Sequence, residues 1–213
     1  MHIWSVTPIH VSDAELARRQ ARYDALSPSG LRVELVDLGV DAPPQLATEQ
    51  DVRDSEGLVT AALESAPDHA DALMPDCVLD PAVAELSERL DRPVFGLLRT
   101  STAWSALAGR RVGAVTRNAV IAAELERLVD LYGLTRHFTG VDVLDLDVDA
   151  IHDTERWAAA LRGVVERMDR AGAGDLVNGC SAVELPPDAT TWPVRVVDPT
   201  ALTLRLMAAG ETT

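Results

Sequence analysis

The chain's only two cysteines sit in stretches that echo each other. The first is Leu73-Met74-Pro75-Asp76-Cys77-Val78-Leu79-Asp80-Pro81-Ala82-Val83, which reads as an apolar strand, a tight turn and a new helix. The second is Asp175-Leu176-Val177-Asn178-Gly179-Cys180-Ser181-Ala182-Val183-Glu184. A thiolate on one face of a carbon acid can remove its proton while a thiol on the other face returns one, and the carbon is inverted. That chemistry needs two opposed sulfurs, which equivalent places in two half-repeats supply and a Cys-x-x-Cys pair does not. The plain alternative for each cysteine is a small buried hydrophobe. A structural disulfide is disfavoured because the chain lacks a secretory signal.

The elements around the cysteines alternate. Strands are predicted over 3–7, 31–38, 70–76 and 93–98, with helices over 13–26, 51–65, 81–90 and 100–107 between and after them. Ser12 or Asp13 caps the first helix, whose first turn carries Asp13 and Glu15. The pattern then restarts, with strands over 111–116, 138–144, 175–179 and 193–197. Helices over 119–132, 151–170 and 199–209 accompany them. This is an α/β chain with parallel sheets. Ser5-Val6-Thr7 matches Ala114-Val115-Thr116, Cys77 matches Cys180, and Arg92-Pro93-Val94-Phe95 matches Trp192-Pro193-Val194-Arg195. Three anchors in the same order predict a duplication, two similar domains related by a pseudo-twofold.

Ligands of open parallel sheets bind at the carboxyl ends of the strands. Cys77, Cys180, Thr7 and Thr116 are all placed there, so the expected active site is a cleft between the two domains with a thiol on each wall. Backbone N–H groups at a helix start after each cysteine would hold a carboxylate or enolate oxygen and favour a thiolate. Thr7 and Thr116 either bind substrate or cap the helices that follow. Asp80, before Pro81, reads as a helix N-cap. Arg99 and Arg117 each follow a strand, either contacting an anionic ligand or facing solvent. His10 is read as a surface residue near that edge, and Glu184 as a solvated one.

Composition narrows the chemistry. A chain of 213 residues with 47% hydrophobic residues buries a sizeable core. The formal net charge of −15 argues against nucleic-acid partners. All 19 basic residues are arginine. Without lysine there is no pyridoxal Schiff base, no P-loop lysine and no Schiff-base aldol chemistry. The histidines show no metal-ligand spacing, so no metal is expected. No apolar run spans a bilayer and the start lacks the features of a signal peptide, which predicts a cytoplasmic protein that does not engage a membrane.

Asp76-Cys77-Val78-Leu79-Asp80-Pro81-Ala82-Val83 resembles the A-C-F-G-D-P-G-L stretch of the aspartate/glutamate/hydantoin racemase superfamily, in its hydantoin and allantoin racemase branch. Asn178-Gly179-Cys180-Ser181-Ala182-Val183 is similar to that branch's L-G-C-A-G-M. Arg111-Val112-Gly113-Ala114-Val115-Thr116 is similar to its strand ending in V-V-T, and Leu128-Val129-Asp130-Leu131-Tyr132-Gly133 to its L-V-x-x-Y-G. The resemblance implies two flavodoxin-like domains with the last helix returning to the first, hence expected boundaries of 1–97 plus 198–213 for the first domain and 98–197 for the second, and a cofactor-independent racemase or epimerase, commonly a homo-oligomer. Cys77 and Cys180 carry over as the acid/base pair. Val78, Ser181 and Ala182 carry over as turns touching a small substrate with a carbonyl or carboxylate: a hydantoin, allantoin or an amino-acid-like compound. Relatives also include decarboxylases and maleate cis–trans isomerases, and a catalytically inactive binder is a further alternative. The chain departs from the pattern at Thr7-Pro8-Ile9-His10, where the family has N-P-N-T. It departs again at Gly96-Leu97-Leu98-Arg99-Thr100, where the family has G-I-x-E-A, and at Leu79, which places a side chain in the substrate turn where the family has glycine.

Overall fold

The computed structural model describes residues 1–210. The chain divides into two units, one of Met1–Leu97 with the segment from Thr200, the other of Leu98–Pro199. The last three residues of the expected first domain, 211–213, lie outside the described residues.

In the first unit, alternation sets the sheet. Along β1 (His2–Val6) and β2 (Arg32–Val36), Ile3, Ser5, Val33 and Leu35 are buried on one face. His2, Trp4, Glu34 and Val36 lie on the other, half-open face. β3 (Ala72–Pro75) is buried at all four positions, as a strand covered on both faces must be. The three strands are parallel in the order β2-β1-β3. α1 (Asp13–Leu26) is capped by the Ser12 hydroxyl, which accepts from the Glu15 N–H at 3.3 Å. α2 (Glu49–Glu64) opens with a capping box between Thr48 and Asp51. α3 (Val83–Arg89) follows the Cys77 turn. Val6, Val59, Leu63, Leu73, Val83 and Leu86 form the core on the α2 and α3 side.

In the second unit, β4 (Val112–Thr116), β5 (Phe138–Val143), β6 (Asp175–Asn178) and β7 (Arg195–Val197) are parallel in the order β5-β4-β6-β7. α4 (Leu97–Leu107) enters the unit and α5 (Ala119–Leu131) is capped by Asn118. α6 (Thr154–Arg170) buries Trp157, Leu161, Val164, Val165 and Met168 on one stripe, with Val115 and Leu176 in the same core. The last element of the chain, α7 (Pro199–Gly210), leaves this unit for the first. Each sheet thus has its first strand in the middle, its second on one side and its third on the other. This is the duplicated α/β arrangement the repeated anchors predicted.

Two expectations fail in detail. The strand over 93–98 is reduced to one bridge between Val94 and Leu73. Pro93 has no N–H to extend the ladder, and the chain turns into α4 at Leu97 rather than at Thr100. The helix expected over 81–90 starts only at Val83, because Asp80 and Ala82 adopt positive φ. Among the described residues no helix is long and apolar enough to cross a membrane.

Candidate functional site

Cys77 lies just beyond the carboxyl end of β3 and is 9% exposed. Its turn is anchored on the sheet, since the Asp76 N–H donates to the Val6 carbonyl at 2.8 Å. The Asp76 side chain points into the α1 side of the core. It accepts from the Tyr23 hydroxyl at 2.8 Å and from Arg19 Nη1 at 3.1 Å. Two tight turns follow: Asp80 N–H to the Cys77 carbonyl at 3.2 Å, then Val83 N–H to the Asp80 carbonyl at 3.1 Å. The first turn aims the Leu79 N–H at Cys77 Sγ, 3.4 Å away, which stabilises a thiolate there.

Cys180 lies two residues beyond the end of β6, the same offset as Cys77 from β3, and its surroundings repeat this framework. The Gly179 N–H donates to the Val115 carbonyl at 2.8 Å, the counterpart of the Asp76 to Val6 bond. Gly179 is required here, because a Cβ would collide with that same carbonyl oxygen. Asn178 ties the turn together. Its side-chain oxygen accepts from Trp157 Nε1 at 3.1 Å, and its amide donates to the carbonyls of Cys180 at 3.2 Å and Val183 at 3.3 Å. Arg117, the residue after β4, is 7% exposed and interacts electrostatically with Cys180 and Asp147. Burial lowers its pKa from the usual guanidinium value, while Cys180 and Asp147 act the other way. Its burial rules out the solvent-facing alternative for this arginine. Neither cysteine is in a disulfide.

The remaining predicted residues divide. Val78 is 3% exposed, Leu79 5%, Ser181 7% and Ala182 3%, all in the two cysteine turns. Thr7 does not cap a helix. Its buried hydroxyl contacts the Ile9 carbonyl at 2.8 Å and Asp37 Oδ1 at 3.1 Å. Thr116 does not cap one either, because Asn118 takes that role. Its buried Oγ1 has no hydrogen-bond partner. Asp80 is not an N-cap: Ala82 occupies that position, with φ of 64° and no side-chain cap. The Asp80 carboxyl instead packs over Gly96, where a Cβ would overlap it.

The helix start expected after Cys77 is displaced by two residues, and the one expected after Cys180 is absent. α3 begins only at Val83, and Leu185-Pro186-Pro187 after Cys180 leads only into a 3-10 turn, Pro187–Thr191. Proline holds its predecessor extended and lacks the N–H a helix needs. Local turn amides, such as that of Leu79, take the place of a helix dipole.

Asp37 was not picked out from the sequence. It gathers the first strand edge, accepting from His10 Nδ1 at 2.8 Å and from the N–H groups of Val11 and Gly39, each at 2.9 Å. Burial pushes its carboxyl up, but these bonds outweigh it and hold the pKa below the usual carboxylate value. The histidines also differ from expectation: His2 and His69 stack beside Glu34, on the first sheet's amino-end side. A pocket of about 440 Å³ bordered by Leu63, Asp71, Leu90 and Arg92 lies at the start of β3, not beside Cys77.

Residues 15–207 match the family model described as Asp/Glu/hydantoin racemase. No curated protein sequence matches the chain. Among solved structures, an allantoin racemase from Klebsiella pneumoniae is similar at 20% identity and a TM-score of 0.81, over 100% of this chain and 88% of that one. An allantoin racemase from Pseudomonas fluorescens is similar at 16% identity and a TM-score of 0.83, over 100% and 91%. An arylmalonate decarboxylase shares the fold more distantly, with 12% identity and a TM-score of 0.59 over 98% and 92%.

Proposed function

The chain belongs to the Asp/Glu/hydantoin racemase family, and from that premise we propose that it is a cofactor-independent racemase or epimerase in which Cys77 and Cys180 are the acid/base pair. The substrate class is a small molecule with an acidic C–H next to a carbonyl: a hydantoin, allantoin or an amino-acid-like compound. One cysteine, as thiolate, takes the proton from one face of the carbon. The electron pair moves onto the carbonyl oxygen, giving an enolate. The other cysteine, as thiol, delivers a proton to the opposite face, and the enolate collapses. The two sulfurs exchange roles for the reverse direction. A thiol suits both halves because its ordinary pKa, about 8.5, makes both protonation states accessible near neutrality.

The observation that carries this reading is the repeated frame. In each unit the residue before the cysteine donates at 2.8 Å to the carbonyl that precedes a threonine, Val6 before Thr7 in the first and Val115 before Thr116 in the second. Two cysteines kept at equivalent places are what a reaction with two mirror-related half-steps needs. On this reading the turn amides of Val78 and Leu79, and of Ser181 and Ala182, hold the enolate oxygen or a carboxylate. Arg117 and Thr116 supply charge and a hydroxyl beside Cys180, and Thr7 shapes the edge beside Cys77.

The test is Cys77→Ser and Cys180→Ser, with a panel of enantiopure hydantoins, allantoin and amino acids followed by chiral chromatography. Each variant is expected to lose at least about a hundredfold in racemisation, the scale of a general acid or base. Exchange of the substrate proton in deuterium oxide should survive from one enantiomer only. Full turnover in both variants would remove the proposal, and a product of lower mass would replace racemisation by decarboxylation.

A further inference from the structure

We propose that His2, Glu34 and His69 form a binding site for a divalent transition metal of the zinc type, independent of the cysteine chemistry. The ladder register pairs His2 with Arg32 and Trp4 with Glu34. His2 and Glu34 therefore emerge on one face of the sheet as diagonal neighbours. His69 reaches them from the loop between α2 and β3. His2 Nε2 lies 3.0 Å from Glu34 Oε2, and His69 Nε2 lies 3.8 Å from the same oxygen. The three donor atoms are all within 4.8 Å of one another. A tetrahedral ion with bonds of about 2.0–2.1 Å sets its donors roughly 3.3 Å apart, between the two separations observed.

A second observation points to a ligand. His2 Nε2 is buried and makes no hydrogen bond, although Glu34 is close. The carboxylate stands at the right distance but in the wrong direction for an N–H donor, so proximity does not satisfy the nitrogen. A ring nitrogen and a carboxylate oxygen that approach without bonding each other can both bond a third centre. The backbone is braced at the same point, since the His2 N–H donates to Asp71 Oδ2 at 2.6 Å.

The donor set selects the ion. Two imidazoles and one carboxylate suit zinc, copper, nickel or cobalt, whereas calcium and magnesium require oxygen ligands throughout. Stacked rings, 17° from parallel, do not both aim a nitrogen lone pair at one point. On binding, His69 turns out of the stack. Its side chain is 60% exposed, so it has room to do so. The bound ion ties the start of β1 to β2 and to the loop entering β3.

The experiment uses the full chain without an affinity tag, stripped by a chelator under reducing conditions. Zinc alone is then titrated by calorimetry. One equivalent should bind to the wild type, and affinity should fall by more than about tenfold in both His69→Ala and Glu34→Gln. Because His69 is exposed, its replacement should leave the circular dichroism spectrum unchanged. The Cys77→Ser/Cys180→Ser double variant should bind zinc as the wild type does. Cobalt in place of zinc should give visible d–d bands without a thiolate-to-metal charge-transfer band. No uptake, uptake unaltered by His69→Ala, or uptake lost with the cysteines would each overturn the proposal.

Discussion

Asp76 couples the packing of α1 to the position of Cys77, and it does so through charge. It is 2% exposed and bound by Tyr23 and Arg19, and Arg19 also donates to Glu15 Oε1 at 2.7 Å. Glu15 in turn receives two bonds from Arg18, at 2.7 and 2.8 Å. Burial alone raises the Glu15 carboxyl, but the bonds from Arg18 and Arg19 outweigh it and lower its pKa to about 2. Tyr23 is raised well above the usual phenol value, first by burial and then by Asp76. The folded pKa of Glu15 lies below its unfolded value, so its contribution is fully present above about pH 4.5 and is lost as pH falls toward 2. The contribution is at most roughly 3 kcal/mol, and less because Arg18 leaves part of the group in solvent. Urea midpoints measured from pH 6 down to pH 3 should therefore fall for the wild type. They should fall less steeply for Glu15→Gln, and parallel curves would show that Glu15 is not the source. The pairs of Glu15 with Arg18 and Arg19 have helical spacing, but their link to Asp76 was not legible. In the sequence Glu15 is one acid at a helix start, and Arg19 and Asp76 are 57 residues apart.

At the scale of elements, the two cysteine turns hold opposite kinds of backbone demand. Ala82 stands at a position where the resembling motif has glycine, and its φ of 64° is left-handed. Leu79, which also replaces a motif glycine, is absent from the positive-φ residues, so the strain falls on Asp80 and Ala82 instead. A left-handed alanine costs about 1–2 kcal/mol, part of which a glycine returns as unfolded-chain entropy. Ala82→Gly should therefore stabilise the first unit by up to about 1 kcal/mol in denaturant unfolding. Gly179→Ala should do the reverse. Its new Cβ meets the Val115 carbonyl, which is backbone and fixed in the ladder between β4 and β6. A loss of roughly 1–3 kcal/mol with reduced turnover is expected, as in overpacking. Wild-type stability in Gly179→Ala would show that the turn yields. The strand ends and the cysteine positions were readable from hydrophobic pattern and repeated anchors. The displaced start of α3 was not, because positive φ at Asp80 and Ala82 leaves no trace in residue type.

Over the whole molecule the repeat was the most legible feature, since Thr7 and Thr116, and Cys77 and Cys180, recur with their strands. The path of the chain end was less so: periodicity gives a helix after Pro199, and only the resemblance implied the unit to which it returns. The structure groups α7 with Met1–Leu97. Leu204 is fully buried, Met207 is 3% exposed and Thr203 is fully buried. The first unit is therefore built from both ends of the described chain, while the second is continuous. Deleting α7 removes apolar side chains worth about 1.5–3 kcal/mol each, a large share of a domain's net stability. The second unit retains Trp157, Leu161, Val164 and Leu176 around its own sheet. A chain ending at Asp198 should then lose amide protection in β1–β3 while β4–β6 stay protected, as read by hydrogen exchange. Equal loss in both sheets would mean that the two cores unfold as one, and that the first depends on α7 no more than the second does.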